Sequence, residues 1–164
     1  MTHLTFGLIA ALSSLTLDVR SFSTDRMKVQ LGRATLLAEA PEPVREAVQA
    51  ANRIVGKPYK PAGGHGKLED DGYDCSGATS YVLSSAGLLE GARSSSGFIE
   101  YGEPGTGEWI TVYARSGHVF LVIADARFDT TDHANVGPGW REATRKTEKT
   151  LTDKGFIARH PKGL

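Results

Sequence analysis

Cys75 lies in the tetrapeptide Asp74-Cys75-Ser76-Gly77, which follows a glycine-rich stretch and opens an apolar helical pattern. Asp74 is a good N-cap residue, so we expect Cys75 at the first position of a helix. There the helix dipole and the unpaired backbone N–H groups favour the thiolate and can donate to an oxyanion during acyl transfer. The alternative is a small buried apolar residue, which is what most lone cysteines are.

A thiolate nucleophile needs a base, and His118 is the best placed of the histidines. It follows Gly117 at the start of the apolar run GHVFLVI, where a strand would hold the imidazole rigidly. The alternative for His118 is a histidine that only closes the edge of a strand. His65 lies on the glycine-rich loop before the cysteine and is a candidate substrate-binding residue, because that loop can line a cleft.

Two helices must position the cysteine. Apolar residues recur at helical spacing after the proline pair at 41–43, which predicts an amphipathic helix over 43–55. Glycine and proline in 56–73 predict a loop, and its acidic run Glu69-Asp70-Asp71 is expected on the solvated surface. A second helix is predicted over 75–86, ended by Gly87.

Strands dominate the second half of the chain. Runs of β-branched, aromatic and apolar residues predict strands over 109–113, 117–123, 127–130 and 155–160, whereas 132–153 is irregular and polar. Helices followed by a meander of strands indicate an α+β fold, with N-terminal helices packed on a central antiparallel sheet.

Length and composition set the remaining limits. The 164 residues suit one domain, placed at 41–164, with 1–40 as a leader or poorly defined N-terminal segment. The 19 basic residues balance the 19 acidic residues, which argues against nucleic-acid binding. One cysteine excludes an intrachain disulfide and a multi-cysteine zinc site. The apolar stretch 4–17 is too short to span a bilayer, and it lacks the basic start of a signal peptide.

The order of these features resembles the NlpC family of cell-wall peptidases, a branch of the papain-like cysteine peptidases. The resemblance covers about 43–130: Pro58-Tyr59, the glycine-rich loop, Asp74-Cys75-Ser76-Gly77 on a helix, and Gly117-His118-Val119 opening a strand. The tail 155–164 is similar to actinobacterial members. The resemblance implies a papain-like fold and cleavage of peptidoglycan stem peptides, typically between γ-D-glutamate and a diamino acid.

The family's functional positions can be placed on this chain. Cys75 would attack the carbonyl, and His118 would take and return the proton. Asp74 and Ser76 match positions that bind the free amine of the stem peptide or shape its subsite. Tyr59 matches a tyrosine that lines the cleft. The resemblance implies no metal or organic cofactor, and we expect a monomer in the cell envelope or outside the cell, with no membrane span.

The third catalytic position departs from the common pattern. Many relatives have a second histidine, an asparagine or a glutamine about a dozen residues after the first histidine, and none occurs in 126–131. We choose Asp129, because it lies on the predicted partner strand opposite His118 and alternates with Phe128, which should face the core. A carboxylate there would fix the imidazole tautomer. The alternative is an ordinary turn aspartate.

Three functions remain open from the sequence. A peptidoglycan endopeptidase comes first. Relatives in the same clan include amidases that act on the lactyl link and acyltransferases that act on lipids, although Tyr59, Asp74 and Ser76 suit a small cationic amine better than a lipid. The third is a wall-binding module that keeps the fold without catalysis.

Overall fold

Two α-helices pack together in the computed structural model, which describes residues 21–131, 137–143, 151 and 153–164. Helix α1 spans Glu42–Ile54 and buries one apolar face, as its helical spacing predicted. Helix α2 spans Cys75–Ser85, and the Asp74 side chain caps it by accepting the N–H of Gly77 at 2.7 Å. Both predicted helices are confirmed to within a residue at each end, and the predicted cap is present.

A six-stranded antiparallel sheet forms the second layer. Its order is β4-β9-β5-β6-β7-β8, and its strands are β4 (Glu103–Pro104), β5 (Ile110–Arg115), β6 (His118–Ile123), β7 (Ala126–Asp129), β8 (Gly139–Glu142) and β9 (Ile157–His160). The four predicted strands correspond to β5, β6, β7 and β9. Strand β8 corrects the prediction that 132–153 is irregular, since its sequence GWRE is too short and polar to be recognised. Residues 132–136, 144–150 and 152 lie outside the described part of the chain.

A separate three-stranded sheet lies before the helices. It consists of β1 (Phe22–Ser23), β2 (Met27–Gln30) and β3 (Arg33–Leu36), paired antiparallel in that order. Met27 and Val29 are fully buried. The sequence analysis did not predict these strands, because two to four residues are too few to establish a period. The interpretation of residues 1–40 as a leader or poorly defined N-terminal segment stays a prediction, and residues 1–20 lie outside the described residues.

Asn52 of α1 joins this small sheet to the rest of the fold. Its Oδ1 accepts from the backbone N–H of Ala34 at 2.8 Å and from Nε1 of Trp140 at 2.9 Å, and its Nδ2 donates to the carbonyl of Ala34. One side chain therefore satisfies backbone groups of β3 and a buried indole of β8.

The main core lies between the helices and one face of the large sheet. Alternate residues of β6 (Val119, Leu121 and Ile123) are buried there together with Phe128 and Trp140. A second apolar cluster contains Tyr113 of β5, Phe120 of β6 and Leu151, which lies outside the strands. The predicted α+β architecture, with helices packed on an antiparallel sheet, is confirmed.

Within the described ranges, no helix has the length and apolarity needed to cross a membrane.

Candidate active site

The N-terminus of α2 presents Cys75 at its first turn. Cys75 is 9% exposed, and it is the only cysteine of the sequence. The backbone of the preceding loop crosses this turn closely: a Cβ built on Gly77 would lie 1.8 Å from the carbonyl oxygen of Gly63. Glycine is therefore required at 77 by the close approach of two backbones, and this contact fixes the loop against the first turn of α2.

Asp70 anchors the glycine-rich loop from inside. Its carboxylate accepts from Lys60 Nζ at 2.8 Å, from the N–H of Asp71 at 2.7 Å and from the N–H of Gly64 at 3.2 Å. The bond from Lys60, followed by the two backbone bonds, holds the pKa of Asp70 well below its ordinary value. Asp70 is 7% exposed, which corrects the expectation that this acidic residue lies on the solvated surface.

His118 begins β6 and contacts Asp129 at the end of β7. The His118 Nε2 and Asp129 Oδ1 atoms are 3.1 Å apart, with side-chain exposures of 12% and 0%. Leu121 pairs with Phe128, so continuing this register places Asp129 beside Phe120, diagonal to His118. The sequence pattern predicted a position directly opposite His118. The diagonal neighbour is still within reach of an imidazole.

The carboxylate of Asp129 has other donors as well. Thr131 donates its N–H to Oδ1 at 3.0 Å and its hydroxyl to Oδ2 at 2.9 Å. Arg127 donates to Oδ2 through Nε at 2.8 Å and through Nη2. Sequence reasoning missed both residues. The signal for Arg127 was present, because residues two apart on a strand share a face.

The imidazole of His118 is partly enclosed by aromatic rings. The ring centroids of Phe120 and Phe156 each lie 6.0 Å from the ring centroid of His118. Burial alone would lower the pKa of His118, but hydrogen bonds to Asp129 and to Cys75 outweigh it and raise the pKa to about 9. Conversely, burial opposes ionisation of Asp129, yet His118 and Arg127 hold the pKa of its carboxyl below its ordinary value.

His65, Asp74 and Ser76 form a second polar group beside the cysteine. His65 Nε2 lies 3.1 Å from Asp74 Oδ1 and 3.1 Å from Ser76 Oγ, and the Ser76 hydroxyl donates to Asp74 Oδ1 at 3.1 Å. The N–H of Ala62 reaches Asp74 Oδ2 at 3.1 Å. The structure thus brings together three residues that the sequence placed on two different segments.

Tyr59 lies on the same side of the site. It is 41% exposed, and its backbone forms an isolated bridge with Tyr73, directly before Asp74. Its pKa is raised first by burial and then by the negative charges of Cys75 and Asp74. Tyr59 therefore lies close enough to the thiol to share its electrostatic environment.

These contacts allow nucleophilic chemistry. A thiol at a helix N-terminus lies close enough to an imidazole to raise the pKa of that ring, and a buried carboxylate lies 3.1 Å from its Nε2. This order of nucleophile, base and orienting acceptor is the requirement for acyl transfer through a covalent intermediate. Across the described residues, no group of three or more histidine, cysteine or acidic side chains is arranged to hold a metal ion.

Comparison with known proteins supports the fold. No protein-family model and no curated protein matches this chain. The crystal structure of a protein described as similar to lipoprotein, NLP/P60 family, from Staphylococcus aureus subsp. aureus Mu50 matches with a TM-score of 0.53 and 17% identity, over 75% of this chain and 42% of that chain. The crystal structure of an NlpC/P60 family protein from Bacillus cereus ATCC 10987 matches with a TM-score of 0.53 and 16% identity. That match covers 87% of this chain and 53% of the Bacillus cereus chain.

The chain therefore has the α+β fold of NlpC/P60 structures, which confirms the predicted fold. It spans about half the length of these two solved chains.

Proposed function

We propose that this chain is a cysteine peptidase of the NlpC/P60 family that cleaves peptide stems of peptidoglycan. The observation that carries the proposal is the 3.1 Å contact between His118 Nε2 and Asp129 Oδ1, together with the effect of Cys75, which raises the pKa of that histidine. The shared fold supports it. The action on cell wall places the protein in the cell envelope or outside the cell, and we expect it to act as a monomer.

The reaction proceeds in two halves. The Cys75 thiolate attacks the peptide carbonyl, and the N-terminal amides of α2 are suited to donate to the oxyanion. His118 then gives its proton to the leaving amine as the C–N bond breaks and an acyl-thioester forms on Cys75. In the second half, His118 takes a proton from water, which attacks the thioester and releases the acid and the thiol. Asp129 holds the ring orientation in both halves and stabilises the imidazolium.

The binding side of the site consists of Tyr59, His65, Asp74 and Ser76. The Asp74 carboxylate offers a negative charge next to the Ser76 hydroxyl, which suits the free ammonium of a stem peptide. Tyr59 offers an exposed aromatic ring on the same side. The bond proposed for cleavage joins γ-D-glutamate to the diamino acid, one residue beyond the position that the ammonium would fix.

A digest of muropeptides with a free L-alanine end tests this function. Wild type should release the diamino-acid fragment, detected by mass spectrometry, and Cys75→Ala should release none while keeping the wild-type circular dichroism spectrum. Equal cleavage by Cys75→Ala would refute the proposed mechanism. Release of the whole stem from a second muropeptide, one whose L-alanine is still joined to the lactyl group, would instead identify an amidase. Binding of peptidoglycan without any cleavage would identify a non-catalytic wall-binding module.

A further inference from the structure

Arg127 contacts the carboxylate that holds the candidate base. It precedes Asp129 by two residues on β7, so both side chains lie on one face of the strand. Its Nε donates to Asp129 Oδ2 at 2.8 Å, and its Nη2 donates to the same oxygen. The Asp129 side chain is fully buried, whereas that of Arg127 is 21% exposed. A buried carboxylate of this kind is stable only when it is well paired.

The two oxygens of Asp129 have different partners. Oδ1 lies 3.1 Å from His118 Nε2 and accepts the N–H of Thr131 at 3.0 Å. Oδ2 accepts from Arg127 and from the Thr131 hydroxyl. Rotation of the carboxylate would break the bonds from Arg127 to Oδ2. The guanidinium therefore favours the orientation of the carboxylate plane in which one oxygen, Oδ1 in this structure, faces the imidazole.

Phe120 holds the guanidinium in turn. The Arg127 Cζ atom lies 3.9 Å from the centroid of the Phe120 ring, a close cation–π contact. The same ring lies 6.0 Å from the ring of His118. A single aromatic side chain on β6 thus packs against both the candidate base and the cation that bonds its carboxylate partner.

We propose that Arg127 is a positioning residue of the candidate active site: it fixes the Asp129 carboxylate with Oδ1 toward His118, and Phe120 fixes its guanidinium. The inference rests on the proposed roles of Cys75 and His118, but not on the identity of the substrate. It extends the contact chain by one residue, in the order Cys75, His118, Asp129, Arg127.

Charged and titratable groups from other elements also face this chain of contacts. From α2, Cys75 is close enough to raise the pKa of His118, and Cys75 and the preceding Asp74 both raise the pKa of Tyr59. From β8, Arg141 donates through Nη1 to the backbone carbonyl of Asp129 at 3.0 Å. The pH dependence of Cys75 alkylation must therefore be compared between variants that leave all these groups in place.

The test measures Cys75 alkylation by iodoacetamide, which needs no peptidoglycan. At about pH 6, below the ordinary thiol range, the rate reports the thiolate that the His118 imidazolium stabilises. Loosening the carboxylate lets the imidazolium move away from the thiolate, so Arg127→Met should slow alkylation about tenfold, the effect of one pKa unit. It should also shift the ¹H–¹⁵N signal of His118 Nε2–H upfield, because that proton reports its hydrogen bond to Asp129.

Arg115→Met is the matched control. The Arg115 guanidinium lies 4.9 Å from the centroid of the Phe156 ring, which also packs against His118. Arg115→Met should keep the wild-type rate and signal. Arg127→Lys retains a charge and should be slowed less than Arg127→Met. Wild-type alkylation and an unshifted His118 signal in Arg127→Met would overturn the proposal. If Arg127→Met fails to fold, Arg127→Gln replaces it, and equal rates for Arg127→Gln and Arg127→Lys would overturn it. If wild type fails to cleave the muropeptides, the proposed substrate is refuted, whereas the alkylation test of Arg127 still applies.

Discussion

His118 and Asp129 are joined by a 3.1 Å hydrogen bond between Nε2 and Oδ1, across two neighbouring strands whose register places the two residues diagonally. Both side chains are nearly or fully buried. The pair is therefore held in a low-dielectric environment, where the hydrogen bond is stronger than it would be in water. The predictions below follow from this pair and from the loop that adjoins it.

Asp129→Asn should lower kcat/KM for a cleaved muropeptide by about 10²-fold, the scale of a positioned acid–base group. An asparagine amide must turn an N–H₂ group toward either His118 or Arg127, so one donor loses its acceptor. Steady-state kinetics by fragment release measures the effect. Asp125→Asn is the control, because that carboxylate is 56% exposed and forms an ion pair with Arg26 at 3.8 Å. A drop of the same size in both variants would contradict a specific role for Asp129.

The rate of hydrolysis should fall as pH rises through about 9, because His118 must be protonated to pair with the thiolate and its pKa is raised to about 9. The stability of the fold should change in the same direction. The raised pKa of His118 contributes fully to the free energy of unfolding below pH 6.5, the ordinary pKa of histidine, and that contribution is lost as the pH rises through about 9. A pH–rate profile measures the alkaline limb. In Asp129→Asn that limb should move to lower pH, and coincident limbs would contradict the assignment.

His65→Ala should raise KM for a muropeptide with a free amine and change kcat little. His65 orients Asp74 and Ser76 through two hydrogen bonds of 3.1 Å. Loss of about 1 kcal/mol of orientation would raise KM about fivefold. His160→Ala is the control, because His160 contacts Glu103 and the carbonyl of Gly105. A fall in kcat at unchanged KM would instead assign His65 to the chemical step.

Gly77→Ala should lower the free energy of unfolding by about 1–3 kcal/mol, the usual cost of overpacking. The added methyl would lie 1.8 Å from the Gly63 carbonyl oxygen, so the loop and the first turn of α2 must separate. Urea unfolding measures the change. Gly66→Ala is the control, because a Cβ there meets no atom within 4 Å. Equal stability of the two variants would show that the loop yields without cost.

Local patterns were enough to predict the helices and four of the nine strands in the described part of the chain. Helical spacing identified α1, and the Asp74 cap with Gly87 after the helix identified α2, because these signals act within one or two turns. The short strands β1 to β4 and β8 were missed. Each contains at most four residues, and their stability comes from contacts with distant segments, such as those of Asn52 with Ala34 and Trp140.

The sequence by itself determined the order of the chemistry: a capped cysteine on a helix, then a histidine opening a strand, then an aspartate on the next strand. It did so because capping, helical period and strand alternation depend on neighbours in the chain. The tertiary structure alone decided that Asp70 is a buried anchor, that Asp129 lies diagonal to His118, and that Arg127 and Phe120 surround that pair. Those relationships depend on register and on the packing of separate strands, which no local pattern specifies.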